Sequence, residues 1–211
     1  MSMPATTYEV EIRCHFDNQD QAFEVLPFLR SCLQGGSPVS WLTRFFGLAL
    51  FKSGQLLRVA EVAQGGTVRR YLGWKGPDTG RFANIRNEID EEFTTGIVSS
   101  AVLRQLGGTE RALAANSVVE ELERVGHSQF MVFQGNDLTG YEPGLDLKVK
   151  LMTCPVLKWP VIVELEKTAE TEQAARRCED DLRELSSRFA LQSRLIRKEP
   201  PTLLYEQLYS E

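Results

Sequence analysis

The stretch Tyr8-Glu9-Val10-Glu11-Ile12-Arg13 restricts the fold more than any other part of the chain. Alternate side chains of an extended strand point to the same face. Tyr8, Val10 and Ile12 therefore make an ordinary apolar face, and Glu9, Glu11 and Arg13 share the opposite one. Two carboxylates at that spacing repel each other unless a cation sits between them. The charged face must open to water or look into a cavity holding a positive ion.

The 211 residues suffice for one sizeable domain with its own core, and no linker divides them, so a single domain over 1–211 is expected. Residues 7–16 read as a strand, Asp17-Asn18 as a turn or N-cap, and 19–33 as a helix with Ala22, Phe23, Leu26, Leu29 and Leu33 at helical spacing. An interior proline costs about 3 kcal/mol, so at Pro27 that helix either bends or gives way to two short turns. Gly35-Gly36 ends it.

From Pro38 to about Phe93 the pattern is an antiparallel meander. Trp41–Phe51 is rich in strand formers, Ser53-Gly54 marks a hairpin, and Leu56–Val62 is the return strand. Gly65-Gly66 turns the chain into strand Val68–Lys75, which Gly76-Pro77-Asp78 closes, and Phe82–Glu91 is a further strand. Helices are expected at 97–106 and 109–125, divided by Gly107-Gly108. Strands resume at 128–134, 144–153 and 160–167, with turns at Gly135-Asn136-Asp137 and Tyr141-Glu142-Pro143-Gly144. A long helix at about 169–192, a turn at Pro200-Pro201 and a tail over 202–208 complete the chain. The expected class is α+β, and about eight antiparallel strands can close into a barrel that holds one small ligand.

Most of these strands carry charge. Arg58 stands alone in an apolar strand. Arg69, Tyr71, Gly73 and Lys75 share one face, and Arg86, Glu88 and Asp90 share another. Lys148 and Lys150 share a third, and Glu164 and Glu166 lie within an otherwise apolar run. A set of solvated strand faces is the simplest reading of each strand alone. As a set, however, acidic Glu-x-Glu pairs stand on the first and last strands, with basic residues between them. Four paired carboxylates suit Mg²⁺ or Mn²⁺, and arginines and lysines in the same cavity suit a polyphosphate.

These residues resemble the CYTH, or triphosphate tunnel metalloenzyme, superfamily. Glu9-Val10-Glu11-Ile12-Arg13 is similar to its N-terminal ExExK signature and Leu57-Arg58-Val59 to its Leu-Arg strand. Trp74-Lys75-Gly76-Pro77 resembles its Lys-Gly-Pro turn, and Arg86-Asn87-Glu88-Ile89-Asp90 its Arg-x-Glu strand. Val163-Glu164-Leu165-Glu166 and Tyr205-Glu206-Gln207-Leu208 resemble its late Glu-x-Glu strand and closing Tyr-x-x-Leu. The resemblance implies an eight-stranded antiparallel tunnel, a divalent metal and a triphosphate-bearing substrate. It implies metal ligation by Glu9, Glu11, Glu164 and Glu166. Phosphate binding would fall to Arg13, Arg58, Lys75 and Arg86, with Lys148 and Lys150 as possible additions. Glu88 would hold metal, orient water or pair with Arg86, and Glu88 and Arg13 are the candidate catalytic pair. Arg13 stands where the family has lysine, Ala60 where a second basic residue often follows the Leu-Arg pair, and Ser128–Gln134 carries no charge where Lys-x-Arg is usual.

The expected activity is metal-dependent hydrolysis of inorganic, nucleoside or thiamine triphosphate. A class IV-type adenylate cyclase, a non-catalytic polyphosphate- or nucleotide-binding module, and a barrel used for protein contacts are the alternatives. A net charge of −5 argues against a general grip on nucleic acid. No apolar run approaches the roughly 20 residues that span a bilayer, and Met1–Thr7 lacks signal-peptide features, so a cytoplasmic, membrane-free monomer or homodimer is expected. Cys14, Cys32, Cys154 and Cys178 form no CxxC pair and read as reduced, mostly buried thiols. His15 falls on the charged face beyond Arg13 and is expected in a structural or rim role, and the Gly-Gly pairs lack the context of a phosphate loop. The run Arg176–Asp181 reads as a solvated helix face.

Overall fold

The computed structural model describes residues 7–108 and 111–209. The reading of residues 1–6, and the first two residues of the helix expected over 109–125, lie outside the described residues. In chain order the elements are β1 (Thr7–Phe16), α1 (Gln19–Val25), α2 (Phe28–Cys32), β2 (Val39–Phe46), α3 (Leu48–Lys52), β3 (Leu56–Gln64), β4 (Thr67–Lys75) and β5 (Asn84–Glu92). They continue with α4 (Ala101–Gln105), α5 (Val118–Arg124), β6 (Gln129–Glu142), β7 (Leu147–Thr153), β8 (Val161–Ala169), α6 (Glu172–Arg188), β9 (Leu195–Ile196) and α7 (Pro200–Tyr209). Among the described residues the strands form one sheet in the order β5-β4-β3-β2-β6-β7-β8-β1-β9, with β5 also paired to β1. This is the expected closed eight-stranded antiparallel barrel, with β9 as an additional short strand and flanking helices.

The chain forms two compact units, each assembled from separate segments. The unit made of Tyr8–Ser40, Thr79–Ile85 and Gly135–Glu211 has a core built on Val10, Ile12, Cys14 and Phe16 of β1 and Val161, Val163 and Leu165 of β8. Helix α6 closes it with Ala175, Leu182 and Leu185, and its Thr171 cap accepts the Ala174 amide. The unit made of Trp41–Asp78 and Arg86–Gln134 packs Phe46, Leu57, Val59, Leu72 and Trp74 against Val102, Leu103, Val118 and Leu122 of α4 and α5. Among the described residues no helix is long and apolar enough to cross a membrane.

Several boundaries differ from the sequence reading, each for a local reason. Pro27 divides the expected helix 19–33 into α1 and α2 and serves as the N-cap of α2, the second of the two alternatives. The strand expected to reach Phe51 stops at Phe46, so no simple hairpin links it to β3. Gly47 takes a φ of 69° with its amide on Ser128 O, and Leu48–Lys52, a run of good helix formers, coils into α3. The helix expected at 97–106 shrinks to α4, because Ser100 caps it by accepting the Leu103 amide. Ile97 instead exchanges backbone bonds with Leu113, and a single 3-10 turn over Ala115–Ser117 leads into α5. Gly135-Asn136-Asp137 makes no turn. Asn136 and Asp137 pair with Thr153 and Met152, so β6 runs unbroken to Glu142 and the turn follows it. Pro200-Pro201 opens α7 in place of a turn and tail, since the first helical turn needs no proline N–H.

Candidate functional site

Antiparallel register explains the charged face of the first unit. Arg13 pairs with Glu164 and Glu11 with Glu166 across β1 and β8, while Lys150 pairs with Glu164 and Lys148 with Glu166 across β7 and β8. Two rows therefore cross three strands: Lys150, Glu164, Arg13 and Lys148, Glu166, Glu11. The Lys150 ammonium lies 2.6 Å from Glu164 Oε2 and that of Lys148 lies 2.8 Å from Glu166 Oε1. Glu11 and Arg13 are only 2% and 1% exposed, so both faces of β1 are buried.

Arg13 is the centre of this cluster. Its Nε donates to Glu164 Oε1 at 2.9 Å, one Nη donates to both Glu11 and Glu199 Oε2 (the latter at 2.7 Å), and the other donates to Asn84 Oδ1 at 3.3 Å. Burial alone would lower the guanidinium pKa, but Glu11, Glu199 and Glu164 together raise it, so the charge is secure. Burial likewise opposes the Lys150 charge, and Glu164, Asp137, Glu9 and Glu11 outweigh it and raise its pKa. Thr139, Gly140, Tyr141, Lys148, Lys150, Glu164 and Glu166 line a cleft of about 330 Å³.

The second unit holds a separate cluster. Arg58, Gly73 and Asp90 lie side by side across β3, β4 and β5, as do Leu56, Lys75 and Glu88. Arg58 reaches over Gly73, its Nη2 lying 2.7 Å from both Glu88 Oε1 and Asp90 Oδ2. Lys75 Nζ is 3.4 Å from Glu88 Oε2, so Glu88 is flanked by two cations. A Cβ on Gly73 would overlap Asp90 Oδ1 and come within 2.7 Å of Arg58 Nε, so the glycine makes room for the crossing. Arg86 donates from Nη1 to Gly54 O and Gly76 O, both at 2.7 Å, tying the ends of the neighbouring loops together.

Sequence parity thus gathers Glu11, Glu164, Glu166, Arg13, Lys148 and Lys150 in one unit, with Glu9 in electrostatic reach of Lys150, and Arg58, Lys75 and Glu88 in the other. It missed Asn84, Glu199 and Asp137. Asn84 shares the parity of Arg86, Glu88 and Asp90, and that signal was available. Asp137 was hidden in an apparent turn, and Glu199 stands beside Pro200-Pro201 where no periodic pattern reaches it. His15 stacks on Trp159 at 4.6 Å, and burial lowers its pKa. Burial raises the Cys14 thiol to about 12 and that of Cys154 to about 11, which suits neither to nucleophilic work.

Among the described residues no group of three or more Asp, Glu, His or Cys side chains is arranged to hold a metal ion. The residue types are nevertheless right for a hard divalent cation: Glu9, Glu11, Glu164 and Glu166 offer carboxylate oxygens, the donors such an ion takes. In the structure Glu11 and Glu164 are given to Arg13.

No family profile matches the chain, and no curated protein matches it by sequence. Solved structures do match. A Pyrococcus horikoshii protein superposes with a TM-score of 0.71 at 16% identity, over 94% of this chain and 99% of its own. A Vibrio parahaemolyticus protein assigned as an adenylate cyclase gives 0.67 at 14% identity, over 94% and 98%. HpAC1 of Hippeastrum, named for adenylyl cyclase and described as having a dominant triphosphatase activity, gives 0.56 at 13% identity, over 95% and 96%. At these identities the likeness establishes the fold, the barrel that the sequence resemblance implies.

Proposed function

We propose that this chain is a CYTH-type phosphohydrolase that cleaves a triphosphate-containing substrate with the help of Mg²⁺ or Mn²⁺. The observation that carries the reading is the register of β1 and β8, which sets Glu11 directly opposite Glu166 with Glu164 one step along the same face. Like charges facing each other across strands destabilise a sheet. Arg13 and Lys148 offset that repulsion here, and the same carboxylates supply the oxygen donors that a hard divalent cation takes. Fold alone does not decide activity, and the reading rests on the site.

In this reading Glu9, Glu11, Glu164 and Glu166 hold the metal, which when bound would neutralise charge on the phosphoryl oxygens. Lys148 and Lys150 in the unit of these carboxylates, and Arg58 and Lys75 in the other, are each cations of the kind that binds phosphate oxygens. Fixed positive charges of this kind stabilise the spread charge of a phosphoryl-transfer transition state. Glu88, set between Arg58 and Lys75, orients the attacking water. Arg86 and Arg13 are already engaged, by two carbonyls and by three carboxylates respectively, and act by holding strands and carboxylates in place.

The test is to incubate the protein with tripolyphosphate, ATP and thiamine triphosphate plus Mg²⁺ or Mn²⁺, and to follow phosphate, pyrophosphate and cyclic AMP. Phosphate release is expected. Cyclic AMP with equimolar pyrophosphate would place the chain with the cyclases instead. A second reading, a non-catalytic polyphosphate-binding module, is favoured by the uncharged segment Ser128–Gln134, and predicts thermal stabilisation by tripolyphosphate without turnover.

A further inference from the structure

We infer that the cleft beside Lys148 and Lys150 takes the planar ring of an organic triphosphate, with Tyr141 as the surface on which that ring stacks. The inference rests on the reading of the chain as acting on a triphosphate, and it names the class of that substrate. The cleft lies wholly within the first unit, and its volume of about 330 Å³ is on the scale of a site for one small ligand. Tyr141 pairs with Lys148 and Thr139 with Lys150 across β6 and β7, and the two lysines pair in turn with Glu166 and Glu164 on β8. All six side chains therefore share one face of the sheet. Gly140, between Thr139 and Tyr141, turns to the opposite face, where a Cβ would overlap Cys32 O at the end of α2. The close approach of α2 backs the strand that presents Tyr141.

Tyr141 is 50% exposed and lines this cleft. Its hydroxyl donates to Asp146 Oδ1 at 2.5 Å. Asp146 stands in the turn between β6 and β7 with a φ of 47°, a left-handed conformation in which aspartate is among the few common side chains. This latch engages the hydroxyl and leaves half of the side chain exposed. A ring already held in place gives up little freedom when a ligand stacks on it. Lys148, directly opposite Tyr141, sets a cation beside the ring for the phosphate that the ligand carries. The rest of the lining is of mixed character. Lys148 Nζ is 2.8 Å from Glu166 Oε1 and 3.0 Å from Thr168 Oγ1, and Lys150 Nζ is 2.6 Å from Glu164 Oε2. Donors and acceptors side by side suit a heteroaromatic ring whose edge does both. A bare polyphosphate only accepts, and it has no face to set on Tyr141.

The experiment compares the unmodified full chain with Tyr141→Leu, which removes ring and latch, and Tyr141→Phe, which removes the latch alone. ATP and thiamine triphosphate are the ring-bearing probes and tripolyphosphate is the bare one. Saturation-transfer NMR reads the ring protons of the first two without needing turnover, and NMR titration gives the Kd of all three. Ring protons of ATP or of thiamine triphosphate are expected to saturate in the unmodified chain, and the two arms tell a purine from an aminopyrimidine. In Tyr141→Leu the affinity for that probe relative to tripolyphosphate should fall by about tenfold, near the low end of what losing an aromatic platform costs a stacked base. In Tyr141→Phe the same ratio should stay within about threefold of the unmodified value. An unchanged ratio in Tyr141→Leu, an equal fall in both variants, which a turn latch alone would give, or no ring-proton saturation with either probe overturns the inference. Phosphate release is scored separately. Ring binding without release defeats the hydrolase reading alone, and release with an unchanged ratio defeats this inference alone.

Discussion

Glu179 is the most exacting test of how the first unit is held. Its Oε1 accepts the backbone amides of Arg81, Phe82 and Ala83 at 2.6, 2.5 and 3.0 Å, and its side chain is almost wholly buried on α6. The same loop is gripped by Arg176, which donates to Thr79 O, and by Arg197, which donates to Phe82 O and Gly80 O. The loop leads directly into Asn84, which supports Arg13. In Glu179→Ala three amides lose one charged acceptor. The amides of Arg81 and Phe82 can recover water, but Ala83 is buried and cannot. A hydrogen bond to a charged group contributes about 1.5–3 kcal/mol and a stranded buried donor costs about 1–3 kcal/mol, so a net loss of about 3 kcal/mol is expected. For a chain of this size that lowers the melting temperature by roughly 6–12 °C. Glu179→Gln keeps an acceptor oxygen and should lose about half as much.

The pH dependence follows from the same contacts. Burial pushes the Glu179 carboxyl up, but the three amides, with Arg176, outweigh it and leave its pKa below the usual range. A carboxylate depressed on folding stabilises fully above its unfolded pKa, about 4.3, and loses that contribution as pH falls through the folded value. The gap between the unmodified chain and Glu179→Gln should therefore be complete at pH 7 and close as the pH drops below about 4. Thermal unfolding by circular dichroism across that range, with hydrogen exchange at Arg81, Phe82 and Ala83, measures it. An equal gap at pH 7 and pH 3.5, or unchanged exchange in Glu179→Ala, refutes the reasoning.

Other predictions follow from single sites. Gly73→Ala displaces Asp90 Oδ1 and the Arg58 side chain as far back as its Cγ, and because both side chains are partly exposed and can swing aside, stability should fall by only about 1 kcal/mol. The KM for tripolyphosphate should nevertheless rise several-fold, and an unchanged KM would show that Arg58 does not act on the substrate. Cys14 and Cys154, with thiols raised to about 12 and about 11, should resist iodoacetamide at pH 7.5 until the chain is unfolded. Mass-mapped alkylation checks this, and early labelling of Cys14 would contradict the burial of β1.

The sequence made one kind of information legible and concealed another. Parity along a strand is local, so the faces Glu9-Glu11-Arg13, Glu164-Glu166 and Lys148-Lys150 could be read directly, and the barrel class followed from their number. Which residues oppose each other is set by long-range pairing, and no local signal places Glu11 opposite Glu166. Turn chemistry misled wherever a partner strand or helix competed with it. Gly135-Asn136-Asp137 became strand because β7 satisfies its backbone, and Pro200-Pro201 became a helix start. Gly47 had the opposite effect, ending a run of strand formers through its positive φ. Glu199 and Glu179 lie outside any strand pattern and act at a distance in sequence, so only the folded chain reveals that one completes the Arg13 cluster and the other fixes the loop before Asn84.

The most direct test of the central claim is phosphate release from tripolyphosphate in Mg²⁺ or Mn²⁺, comparing the unmodified chain with the double variant Glu9→Gln, Glu11→Gln. The account predicts metal-dependent release that the double variant loses. Release that persists in the double variant, or that is unaffected by removing the metal with a chelator, would contradict it.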